Sequence, residues 1–168
     1  MVLITGGFGY LGGRIAEYLR QSGHSVRIGT SREKIGPNES HSSYEVVTIN
    51  LLDKKSLEAA CKSVSIVIHL AALNAQSCEE DPEKASQINI EGTSKLINAA
   101  IKENVVKFIY FSTAHVYGSP LSGLINENSP TNAVHPYASS HKEAEDFLLE
   151  NILSKRLNGS ILLNIFSS

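Results

Sequence analysis

Val2-Leu3-Ile4-Thr5-Gly6-Gly7-Phe8-Gly9-Tyr10-Leu11-Gly12 decides how the rest of the chain is read. Four apolar or β-branched residues, Val2 to Thr5, make a short buried strand. Glycines at 6, 7, 9 and 12 follow, and a helical pattern begins at Arg14. Gly7, Gly9 and Gly12 satisfy G-x-G-x-x-G, while Gly6, Gly9 and Gly12 satisfy G-x-x-G-x-x-G. In such a turn one glycine lets the chain reverse, one lets backbone approach a pyrophosphate, and one lets helix pack on strand. The phosphate rests on free N–H groups at a helix N-terminus. Strand, turn and helix together point to a dinucleotide site with Gly6, Gly9, Tyr10, Leu11 and Gly12 at its edge. A purely structural glycine turn is the plainer alternative.

Outward from the turn, Ile15, Tyr18 and Leu19 share one helical face, with Arg14, Glu17, Arg20 and Gln21 opposite. Gly23 reads as a helix C-cap, and Ser25 to Gly29 as the second strand of a βαβ unit. The polar run from Arg32 to Ser43 reads as a surface loop or short helix. Tyr44 to Ile49 gives a third strand, Lys54 to Lys62 a short helix, and Ser65 to Leu70 a strand buried on both faces. Asp81-Pro82-Glu83 opens a helix that runs to about Glu103: an N-cap acid, a proline at the first position, and an acid near the positive end of the dipole. Val105 to Ser112 is the next strand. The segment from Gly118 to Pro136 is a loop long enough to be functional. A helix from Tyr137 to Leu153 and a strand from Ser160 to Ile165 close the chain.

Strands alternating with helices specify an α/β fold, a Rossmann-like doubly wound parallel sheet with helices on both faces, occupying residues 1–168 as one domain. Ligands in such sheets bind at the carboxyl ends of the strands. Hydrophobic residues make up 42% of the chain, charged residues 19%, and the net charge is −2. With no basic run beyond Lys54-Lys55 or Lys155-Arg156, that argues against a nucleic-acid or anionic-membrane surface. No window approaches the length of apolar sequence that a membrane span needs. His115, His135 and His141 lack metal-ligand spacing, so no metal is expected. Cys61 and Cys78 are expected as free thiols, and the chain as cytoplasmic.

An Asp or Glu some 20 residues past the glycines would bind the adenine ribose of NAD. Here the second strand ends in Thr30, Ser31 and Arg32, with no acid before Glu33. Small hydroxyls followed by Arg suit a 2′-phosphate, which favours NADP over NAD; a solvated loop arginine is the alternative. Asn50 and Leu51 end the third strand and suit an adenine amine and its apolar face. Leu70, Ala71 and Ala72, past the fourth, leave room for backbone beside a nicotinamide ribose. His69 reads as a packed, hydrogen-bonded strand residue rather than a ligand.

With these residues in view, the chain resembles the extended short-chain dehydrogenase/reductase family, in its nucleotide-sugar epimerase and dehydratase branch. The resemblance rests on residues 5–12, Ile68-His69-Leu70-Ala71-Ala72, Asn89-Ile90-Glu91-Gly92-Thr93, Phe111-Ser112-Thr113-Ala114-His115-Val116-Tyr117-Gly118 and Pro136-Tyr137. It implies Tyr137 as catalytic acid/base, Thr113 as the hydroxyl that hydrogen-bonds a sugar oxygen, and Asn89 as support for the cofactor or the strand beneath it. It also implies a nucleotide-sugar substrate, a homodimer formed through the central helix and the helix at Tyr137, and a substrate domain after the cofactor half. The latter is absent from the 168 residues, so a fragment or truncated chain is the expectation. A carbonyl reductase of the same superfamily and a non-catalytic cofactor-binding module are the alternatives.

A free phenol has a pKa of about 10, so a Tyr working near neutral pH needs a depression of up to roughly 3 units, about 4 kcal/mol. In the family a Lys four residues on supplies the charge; here that position is His141. Lys142, at i+5, lies about 140° around a helix and points elsewhere. His141 is therefore the candidate third member of the site, with weakened redox activity and a need for higher pH as the expectation.

Overall fold

The computed structural model describes residues 1–32, 44–121 and 123–164. Glu33 and the rest of the polar run before Tyr44 lie outside them, as does Ile165 at the end of the last expected strand. Six strands form one sheet: β1 (Val2–Thr5), β2 (Val26–Thr30), β3 (Glu45–Thr48), β4 (Ile66–His69), β5 (Lys107–Thr113) and β6 (Gly159–Asn164). Every pairing is parallel and the order is β3-β2-β1-β4-β5-β6. The chain builds outward from β1 to β3, then returns to start again on the other side at β4. The crevice at that reversal, between β1 and β4, is where such sheets take ligands.

Alternation along β1 explains the two layers. Val2 and Ile4 join Val26, Ile28 and Ile68 against Ala16 of α1 (Tyr10–Gln21). Leu3 joins Val67 and Phe108 on the other face, against Leu57 of α2 (Lys54–Cys61), Leu96 and Ile97 of α5 (Thr93–Lys102), and Leu148 of α6 (Pro136–Leu153). A strand with apolar residues pointing both ways has to be covered on both faces. Not every strand is apolar, however. Arg27 in β2 is buried; its guanidinium pairs with both carboxylate oxygens of Glu45 in β3, at 2.9 and 3.1 Å, and reaches the carbonyls of Ala60 and Lys62. Register places Arg27 opposite Glu45, so the buried cation meets its carboxylate in the ladder.

Some boundaries differ from expectation. The first helix starts at Tyr10, four residues before Arg14, with Gly9 as N-cap. Tyr18, expected on its inner face, is 71% exposed, and Ala16 and Gly12 are buried instead. Residues 75–80, which carry no strong pattern, form α3 (Ala75–Glu80), capped by the Asn74 side chain. The helix opened by Asp81-Pro82 is α4 (Pro82–Ala85); it passes through a π-helical stretch, Ser86–Gly92, into α5. β5 runs from Lys107 to Thr113, and the loop beyond it begins with a 3₁₀ turn, Ala114–Tyr117.

Candidate functional site

Gly6 is where the chain leaves β1. Its φ of +70° is open to glycine, and a Cβ there would come 3.0 Å from the Ala71 backbone nitrogen. Gly12, in the first turn of α1, is packed tighter still: a Cβ would sit 2.3 Å from the Gly6 carbonyl oxygen. These two contacts bring the helix N-terminus down onto the sheet at its reversal point. Gly9 caps α1 without a side chain, so the first N–H groups of the helix keep no side-chain acceptor.

Around this turn the strand ends enclose a cleft of about 640 Å³. It brings together Gly6, Gly9, Thr30, Ser31, Arg32, Asn50, Leu51, Leu70, Ala71 and Ala72. Asn50 Oδ1 accepts from the Leu52 N–H at 2.9 Å and fixes the turn into α2. The lining also includes Phe8, Leu73, Lys84 and Ile88, which the sequence reading did not single out. Phe8 lies inside the glycine motif itself. Lys84 and Ile88 come from the helix that folds over the strand ends, a placement that no local pattern announces. Tyr10, Leu11, Gly12 and Asn89 stand outside this lining. Tyr10 is 84% exposed, with the Arg14 guanidinium 5.7 Å from its ring centre.

Asn89 is fully buried behind the cleft, turned inward by the π-helical stretch. Its Oδ1 accepts from the Leu73 N–H at 2.8 Å, and its Nδ2 donates to Ser140 Oγ at 3.1 Å. It thus ties the loop after β4 to α6 at its second turn. His69 is equally buried, 2.6 Å from Thr5 Oγ1 through Nδ1 and 2.9 Å from Thr93 Oγ1 through Nε2. The Leu70 and Ala71 N–H groups both donate to Thr5 Oγ1, which assigns the Thr5 hydroxyl as donor to Nδ1 and leaves Nε2–H to donate to Thr93. Burial lowers the His69 pKa to about 3, so the ring is a neutral strut.

Tyr137 is the second residue of α6, after Pro136, and the His135 ring accepts its N–H at 3.3 Å. The Thr113 side chain at the end of β5 lies near enough to the phenol to act on its titration. Burial raises its pKa above the usual tyrosine value, while the nearby Thr113 hydroxyl pulls the other way. His141 is buried one turn on, its Nδ1 donating to the Tyr137 carbonyl at 3.0 Å, and burial lowers its pKa to about 4. Lys142 points away from Tyr137 and pairs with Asp146. A small chamber of about 140 Å³ opens beside Tyr137, lined by His115, Asn132 and His135 among others. Among the described residues no group of His, Cys, Asp and Glu could hold a metal ion, and no helix is long and apolar enough to cross a membrane.

A parallel sheet in this order, with a glycine turn feeding a helix at its reversal point, defines a Rossmann-type fold with a nucleotide-sized cleft at its strand ends. The NAD dependent epimerase/dehydratase family model matches residues 2–163, and the chain belongs to that family. It is 30% identical over 176 residues to a UDP-glucose 4-epimerase of Dictyostelium discoideum, covering 99% of this chain and 51% of the relative. The Thermus thermophilus UDP-glucose 4-epimerase, solved in complex with NAD, superposes with a TM-score of 0.88 at 28% identity, covering 96% of this chain and 54% of that one. The Stenotrophomonas maltophila UDP-glucose 4-epimerase, solved with NAD and formylated UDP-arabinopyranose, gives 0.86 at 25% identity, covering 96% and 52%. The chain spans about half the length of the curated relatives it matches.

Proposed function

We propose that the chain binds NADP or NAD in the cleft and forms the cofactor half of a nucleotide-sugar epimerase, dehydratase or reductase, with Tyr137 as acid/base at a sugar carbinol. The observation that carries this reading is that the glycine-walled cleft at the reversal point and the Thr113–Tyr137 pair at the end of β5 lie at the same, carboxyl edge of the sheet. The family membership and the bound ligands of the Thermus and Stenotrophomonas enzymes support it. The glycine turn admits backbone close to a pyrophosphate, and the uncapped α1 N-terminus offers it N–H donors. Thr30, Ser31 and Arg32 at the end of β2 favour a 2′-phosphate and hence NADP. Leu149 and Leu153, exposed on α6, are the face we assign to a second copy of the chain.

A bound nicotinamide supplies a hydride acceptor or donor for the sugar carbon. The chain supplies the proton: the Tyr137 phenol and Thr113 hydroxyl stand together where the carbinol oxygen would lie. Because burial keeps Tyr137 protonated, the resting site is prepared to give a proton, which suits reduction of a carbonyl. Oxidation of a carbinol needs the phenolate, and neutral His141 does not help form it. That observation favours a second reading, a reductase of the same superfamily. Fluorescence titration with NADPH and NADH, then turnover against a panel of sugar nucleotides and small ketones, tests both. Binding of neither cofactor refutes the proposal; ketone reduction without sugar-nucleotide turnover selects the second reading.

A further inference from the structure

We propose that Lys84 is a phosphate-binding residue of the cleft, a cation brought in from the helical layer rather than from a strand end. The inference rests on the cleft being a dinucleotide site.

The described lining holds two basic side chains, Arg32 and Lys84, and no carboxylate. A dinucleotide with an unmodified adenine ribose is ordinarily met by an acid that accepts from the ribose hydroxyls. Two cations with no carboxylate among the described lining residues favour additional negative charge there. Lys84 is an exposed residue placed at the cleft by the first turn of α4. Its N–H donates to the Asp81 side chain at 2.9 Å, in the capped first turn of α4, and Ile88, one turn on, lines the same cleft. That turn thus presents an apolar surface and a charge together, as one adenosine phosphate would need. Among the described residues the Lys84 ammonium has no acidic partner, whereas Lys95, Lys102 and Lys142, elsewhere on the helices, are each paired with a carboxylate. Its charge adds to the field of the α1 N-terminus in this concave site.

The phosphate has two sources in a phosphorylated dinucleotide, the pyrophosphate and the 2′-phosphate, and one experiment separates them. Lys84→Met keeps the aliphatic stem and removes the charge. NADPH and NADH are titrated onto wild-type and variant chains at low and moderate salt, with thermal unfolding as a check on folding. We expect Lys84→Met to weaken NADPH binding about tenfold, equivalent to ~1.4 kcal/mol, and to flatten its salt dependence. Lys84→Arg is expected to restore both. Loss for NADPH alone assigns the 2′-phosphate; equal loss for NADH assigns the pyrophosphate. Wild-type affinity and salt dependence in Lys84→Met for both cofactors overturns the proposal. If the wild-type chain binds neither cofactor, the cofactor reading itself falls and takes the proposal with it.

Discussion

The ring of His141 lies 4.4 Å from the ring of Tyr137, and its Nδ1 lies 3.0 Å from the Tyr137 carbonyl oxygen. A carbonyl only accepts, so Nδ1 carries the proton, and with its pKa lowered to about 4 the ring is neutral at pH 7. It braces the backbone of the candidate acid/base without lending it charge. His141→Lys is therefore expected to lower the Tyr137 pKa by at least about one unit, worth ~1.4 kcal/mol. Phenolate absorbance, with Tyr137→Phe subtracted, reads this directly. An unmoved titration curve would show that charge at residue 141 does not reach the phenol.

Acid should unfold this protein through its buried histidines. His69 and His141 ordinarily titrate near 6.5, and burial lowers them in the folded state to about 3 and about 4. A depressed folded pKa means that the unfolded chain takes up protons first. Their contribution is complete above the unfolded value and is lost as pH falls from about 6.5 through the folded values. For His141 the loss is on the order of 3 kcal/mol. Urea midpoints between pH 7 and pH 4 should fall steeply for wild type and less so for His141→Gln. Parallel curves would exclude His141 as a source.

Gly12→Ala places a methyl group 2.3 Å from the Gly6 carbonyl and 2.9 Å from the Gly7 Cα, both backbone atoms that cannot rotate away. The helix has to lift from the turn, at a cost of about 1–3 kcal/mol for overpacking. Denaturant unfolding should register the loss, and NADPH titration should show binding weakened by more than the stability change alone explains. Gly23→Ala is the control. Its φ of +82° strains any side chain, whereas Gly12 is helical, but nothing lies within 4 Å of the added methyl, so it should lose stability and keep affinity.

Asn89→Leu removes the acceptor of the Leu73 N–H and the donor to Ser140 from a fully buried site. Buried groups left without partners cost about 1–3 kcal/mol each. The loop after β4 and the second turn of α6 are tied through this side chain. Hydrogen exchange should therefore rise at Leu73 and around Ser140 together. Exchange that rises only within the π-helical stretch would mean that the two sides are held independently.

The turn at Gly6–Gly12, the apolar run of β1 and the cap at Asp81-Pro82 were legible because each is local: an apolar run, glycine and proline act within a few residues. The start of α1 was misplaced because Gly9 and Gly12, poor helix formers, are tolerated there by packing on the sheet. Tyr18 was assigned inward by spacing, yet neighbours in space decide which side of an apolar stripe is covered. Lys84, Leu73 and the inward turn of Asn89 had no local signature, since each depends on segments far apart in the chain. The sequence by itself determined a doubly wound sheet with a dinucleotide-type turn, and marked Thr113, Tyr137 and His141. Only the tertiary structure decided that burial raises the Tyr137 pKa instead of lowering it, that His141 is neutral and that Lys84 lines the cleft, because burial and proximity set charge and reach, and both arise from the packing of distant segments.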